Sequence, residues 1–126
     1  MKNNNLNDLA FAILRVSFSA MMLTHGIPKL TMLMANSSGF PDPFGIGSTP
    51  SLVLAIIGEV IAPLLVLIGF KTRLAAIPVI ITMATAAFFI HINDDFGTKE
   101  KAILYLLAFI IIAMVGPGKY SVDGKK

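Results

Sequence analysis

Six side chains in this protein combine reactive groups with apolar surroundings: Arg15, His25, Lys29, Glu59, His91 and Tyr105. Arg15 interrupts an apolar block running from Leu9 to Leu23, and Glu59 is the sole ionisable residue between Leu52 and Phe70. A charge at the centre of a bilayer costs about 2.5–3.5 kcal/mol on insertion scales, so each of these needs a partner or a use. Both fall near mid-block, and the simplest expectation is an Arg15–Glu59 pair across two helices, inside a bundle. Such a pair is structural if it only sets helix register. It is functional if it floors a polar cavity or carries a proton.

His25 and Lys29 are four residues apart, which places them on one side of a helix. Arg15, Ser19, Met22, Gly26 and Lys29 form a stripe at near-helical spacing, with His25 at its edge. His91 closes a third apolar block at the level of His25 and Lys29. His25, Lys29, Glu59 and His91 are therefore the candidate catalytic set, converging at a mouth above Glu59. Tyr105, near the outer end of the fourth block, is a weaker candidate for contact with a bound cofactor. Ala55 and Ala62 beside Glu59, and Ala84 and Ala87 beside His91, permit close packing or leave room for a ligand. Each residue also has an ordinary role: a histidine at a membrane boundary, a snorkelling lysine, a tyrosine in an aromatic belt. Two histidines exclude a three-His metal site, and no metal-ligand cluster is expected. A bis-His haem between the first and third blocks is conceivable, but nothing else supports a porphyrin pocket. Walker A, GxGxxG and nucleophile-elbow motifs are absent. With no Cys in the chain, thiol exchange and iron–sulfur ligation by its own residues are excluded.

These residues must be held by apolar elements. The chain has 126 residues, 56% hydrophobic and 13% charged, against about 45–50% and about 25% in a soluble domain. That composition excludes intrinsic disorder and leaves too little polar surface for a water-soluble monomer. The lipid bilayer is the expected partner, and the net charge of +3 does not point to nucleic acid. Four apolar blocks predict an all-α, four-transmembrane-helix antiparallel bundle forming one domain over 1–126. Helices are expected at about 7–29, 50–69, 73–91 and 101–116, with an outer loop over 36–49. Strict alternation is missing, which disfavours a β-barrel. Thr49 is a suitable N-cap ahead of Pro50, and Gly69 closes the second helix before a tight turn through Lys71 and Arg73. Lys2, Lys71, Arg73, Lys119, Lys125 and Lys126 fall on one side, and Lys29, Lys99 and Lys101 on the other. The positive-inside rule then puts both termini in the cytoplasm. Arg15 breaks the apolar core that a cleaved signal peptide needs, so the first block is expected to stay as an anchor.

In order and spacing these pieces resemble the DoxX family of small four-helix membrane proteins. The resemblance is carried by Arg15, His25-Gly26 with Lys29, Glu59, Gly69-Phe70-Lys71-Thr72-Arg73-Leu74-Ala75-Ala76, His91, and the closing Gly116-Pro117-Gly118-Lys119-Tyr120-Ser121-Val122-Asp123. It implies a bacterial inner-membrane protein linked to quinone redox systems, either as an oxidoreductase subunit or beside a redox partner protein. By that analogy a quinone head group sits near the outer mouth. His25 or His91 would exchange protons with its oxygens, Lys29 would favour its anionic reduced forms, and Arg15 with Glu59 would make the charged base. The competing expectations are a non-enzymatic membrane scaffold and a small transporter, which would need a homo-oligomer for alternating access.

Overall fold

A computed structural model describes residues 4–36 and 39–125. Lys2 and Lys126, which entered the charge count, and Ser37 and Ser38 of the long loop lie outside the described residues. Four helices run in sequence: α1 Asn4–Ala35, α2 Ser48–Ile68, α3 Thr72–Ile90 and α4 Phe96–Val115. A short 3₁₀ turn follows at Asp123–Lys125. The protein is an all-α bundle in which three helices, α1, α2 and α3, are long and apolar enough to cross a membrane. The fourth is 20 residues long, and its opening turns carry Lys99, Glu100 and Lys101.

The apolar sides meet in a core of Met22, Val66, Ala76, Val79, Phe109 and Ile112 among others, while Leu6, Ile13, Leu54, Leu74, Ile81, Leu104 and Met114 face outward. Apolar side chains on both sides of a helix are what a lipid solvent requires. Contacts group the helix ends in two sets. The start of α1, the end of α2, the start of α3 and the end of α4 meet at one end, here the terminal end. The two longer connections lie at the opposite, loop end.

Helix boundaries differ from expectation where prolines and caps lie. The first helix does not stop near Lys29 but continues through Pro28 to Ala35, since a proline is tolerated in an apolar helix when neighbours re-satisfy the freed carbonyl. Thr49 is not the N-cap of α2. The cap is Gly47, so Ser48, Thr49 and Pro50 form the first turn, where a missing N–H costs nothing. Gly69 ends α2 in the left-handed conformation, φ 75°. A side chain there would also strike Ser121 of the closing segment.

That closing segment holds the terminal end together. Val122 and Asp123 donate backbone N–H to the carbonyls of Ile68 and Gly69, at 3.0 and 2.9 Å. The Asp123 carboxylate in turn accepts from the N–H groups of Lys71 and Thr72, both at 3.0 Å. One strand of chain thus satisfies the last carbonyls of α2 and the first donors of α3, with a negative charge at a helix N-terminus. Arg15 reaches the same place. Its Nη1 donates to Pro117 O at 2.6 Å, its Nη2 to Tyr120 O at 2.7 Å and its Nε to Leu67 O at 3.4 Å.

The expected Arg15–Glu59 pair is therefore not formed. Two geometric facts explain the correction. Gly26 packs on the Glu59 backbone, so Arg15 sits eleven residues below that level, about 16 Å at 1.5 Å per residue. Side chains also lean toward the N-terminus of their own helix. Because α1 and α2 run oppositely, Arg15 is cast toward the terminal end and Glu59 toward the loop end.

Candidate functional site

The buried face of α1 is the stripe Arg15, Ser19, Met22 and Gly26, with Lys29 one turn further and partly exposed. Ser19 Oγ has no hydrogen-bond partner among the described residues. At Gly26 α1 packs closely against α2. A Cβ on Gly26 would run into the carbonyl of Glu59. That carbonyl is unusual for a reason legible in the chain: Pro63, four residues on, has no N–H to give it. The helix accommodates this with a π-helical turn over Ile57–Ile61, in which Ala62 N–H reaches back to Ile57 O. A second π turn, Ala86–Ile90, ends α3, with His91 N–H donating to Ala86 O at 3.0 Å. Such turns re-aim the side chains they carry and recur at functional sites.

Glu59 is aimed by its turn at Lys29. Nζ of Lys29 donates to Oε1 of Glu59 at 2.9 Å, with the two side chains 23% and 7% exposed. The same Nζ lies 3.4 Å from the carbonyl of His25. The pair walls a cavity of about 360 Å³ near the loop end. His25 lies beside it, its ring meeting Tyr105 edge-on at 5.5 Å, and Tyr105 meets Phe18 edge-on at 6.0 Å. His91 is at the rim, where its Nδ1 pairs with Asp94 at 2.7 Å. His25, Lys29, Glu59, His91 and Tyr105 all line this one cavity, whereas Arg15 does not.

Sequence reasoning missed two contributors. Lys101 lines the cavity. It sits four residues before Tyr105, a spacing that shares one helix face and that would have revealed it. Phe40 and Pro41 of the long loop roof the cavity, which no spacing rule indicates. Asp42 holds that loop in place, accepting from Ile46 N–H at 2.9 Å, Gly47 N–H at 2.8 Å and Ser51 Oγ at 2.9 Å. The Gly47 N–H foremost, with the Ser51 hydroxyl and the Ile46 N–H, keeps the Asp42 carboxyl below its ordinary range. Asp95 caps α4, and bonds from Thr98 hold its carboxyl low as well. Within the cavity Lys29 and Lys101 face one carboxylate, Glu59, so the lining is cation-rich. Among the described residues no group of three or more His, Cys, Asp or Glu gathers as a metal site would require.

A family model described as DoxX matches residues 10–92. The chain belongs to the DoxX family. The match takes in α1 beyond its first turns and all of α2 and α3, and so the Lys29–Glu59 pair. The DoxX model stops short of α4 and the closing segment. The chain is similar to an uncharacterized protein of Haemophilus influenzae, 31% identical with 90% of this chain and 88% of the relative covered. It is also similar to two Escherichia coli proteins, inner membrane protein YphA and inner membrane protein YqjF. These are 29% and 28% identical, with 88% and 94% of this chain and 86% and 92% of the relatives covered. No solved structure matches. This DoxX-family chain is an integral, multi-pass membrane protein, and the names of its E. coli relatives place those proteins in the inner membrane.

Proposed function

We propose that this protein binds a quinone head group in the cavity beside Lys29 and Glu59 and serves as a subunit of a quinone-linked membrane redox system. The observation that carries this reading is the Lys29–Glu59 pair, a donor and an acceptor 2.9 Å apart on the wall of a cavity that also presents His25 and Tyr105. Quinone reduction takes up two electrons and two protons. Lys29 donates hydrogen bonds to the head-group oxygens and stabilises negative charge on them. His25 and Glu59 hold and pass protons at the same level, and His91 with Asp94 links the rim to water. The chain has no Cys and so no thiol or Cys-ligated iron–sulfur centre of its own; in this reading electrons come from a partner protein or a bound reductant. In this reading all four helices span the bilayer and both termini are cytoplasmic, supported by the excess of Lys and Arg at the terminal end. The cavity then opens outward.

A second reading, a non-enzymatic scaffold, draws on the fact that Lys29 and Glu59 already satisfy one another. One titration separates the two. The purified protein in detergent is titrated with a tail-less soluble quinone, and binding is followed by quenching or calorimetry. Saturable binding that is lost in Lys29→Met/His25→Ala supports the site. Absence of saturation, or equal binding by the variant, leaves the scaffold reading standing.

A further inference from the structure

A second cavity, about 280 Å³, lies between α2 and α3, and the surface it presents is mostly apolar although Ser51, Glu59, Thr82 and Thr85 are among its walls. It shares Glu59, Ala86 and Ile90 with the polar cavity, so the two adjoin along one seam. That seam is where the π turns of α2 and α3 fall, Ile57–Ile61 and Ala86–Ile90. The far side of the groove is the outward surface of the bundle: Leu54, Ile81 and Phe44 line it and are all more than half exposed. Small side chains at Ala55 and Thr85 keep it open. Its loop end is roofed by Phe44, whose ring packs on Phe89 at 5.4 Å. Beside it α2 and α3 touch, since a Cβ on Gly58 would run into the Thr82 hydroxyl.

We infer that this groove is the lateral doorway of the site: the isoprenoid tail of a membrane-dissolved quinone leaves the polar cavity past Glu59 and runs between α2 and α3 into the lipid. The inference rests on the quinone reading above and adds the route and the ligand class, a tailed lipid-soluble quinone. The support is adjacency. An amphiphile with a hydrogen-bonding head and an apolar chain needs a polar chamber beside an apolar slot that reaches lipid, and these two cavities share the wall residues Glu59, Ala86 and Ile90. In a bilayer the tail gains little from burial alone, because lipid is as apolar as the slot. The groove therefore acts by giving the tail a path that leaves the head seated, and its mark is position rather than affinity.

The test is photolabelling in phosphatidylcholine/phosphatidylglycerol vesicles with a quinone whose tail carries a diazirine, the labelled residues being mapped by mass spectrometry. Labels on the groove faces of α2 and α3, around Leu54–Ile57 and Ile81–Thr85, that are suppressed by excess tail-less quinone are the expected result. Ala55→Phe and Thr85→Phe should cut that labelling about tenfold, the discrimination a clash in an apolar pocket gives, with tail-less binding unchanged. A phosphatidylcholine bearing the diazirine on its acyl chain is the control. If it labels the groove equally and the tail-less competitor changes neither pattern, the groove is ordinary lipid surface and the inference falls. Competitor-sensitive labels on α1 or α4 instead would overturn the doorway and leave the quinone site intact. Failure of tail-less quinone to bind, with no competitor-sensitive label anywhere, removes both.

Discussion

Replacing Lys29 by Met removes the hydrogen-bonded counter-charge of a Glu59 carboxylate that is 7% exposed. At 2.9 Å and an effective dielectric of about 20, the attraction lost is about 6 kcal/mol before desolvation is set against it. Removing one partner of a buried pair typically destabilises by about 3–5 kcal/mol, and Lys29→Met should fall in that range. The opposite deletion is milder. Glu59→Gln leaves an ammonium that is 23% exposed and can swing toward water on its own stem, at a cost of about 1–2 kcal/mol. The double variant Lys29→Met/Glu59→Gln removes both charges and should lie near the Glu59→Gln value. The resulting coupling is about 3–5 kcal/mol, a factor of roughly 150 to 5,000 in the folding equilibrium. Unfolding in mixed dodecyl maltoside and SDS micelles, followed by helical circular dichroism, measures all four corners of the cycle. Additivity within about 0.5 kcal/mol would refute the pair as an energetic unit, and an Arg15→Gln/Glu59→Gln cycle should show no such coupling.

Other expectations follow from the same geometry. Arg15→Lys keeps the charge but cannot reach three carbonyls at once. It should cost about 2–4 kcal/mol and raise amide exchange across Gly116–Gly124, whereas unchanged protection there would count against the clamp. Gly26→Ala places a methyl against the Glu59 carbonyl and should lower stability by about 1–3 kcal/mol through overpacking, read as a drop in melting temperature. Asp42 has a folded carboxyl held below its ordinary value by N–H donors. The stability it lends the loop is therefore present above the unfolded carboxyl range and is lost as pH falls through the lowered folded value. A Phe44→Trp reporter should show the loop ordered at pH 5 and loosening only below the ordinary aspartate range of about 4. Asp42→Asn should abolish that acid transition, and a variant that still loosens at the same pH would rule out Asp42 as its source.

Much of this molecule can be read from one dimension. Composition and block length specify an all-α membrane bundle, because a chain with so few polar groups must pair its backbone internally and turn apolar surface to lipid. The spacing of Arg15, Ser19, Met22 and Gly26 identified the buried side of α1, since helical periodicity is a local property. His25, Lys29 and His91 could be set at one level, above Glu59, from their positions in the blocks alone. Pairing could not be read in this way. It depends on how two antiparallel helices are registered and on the direction in which each casts its side chains. Arg15 and Glu59, alike in depth on paper, are thrown toward opposite ends. Tertiary contact gave Glu59 to Lys29 and gave Arg15 to the carbonyls of Leu67, Pro117 and Tyr120. It also made the Gly116–Asp123 segment a cap for two helices at once and brought the Phe40 loop over the cavity. Those outcomes join residues up to 105 positions apart in the chain, a range at which composition and periodicity carry no signal and only packing decides.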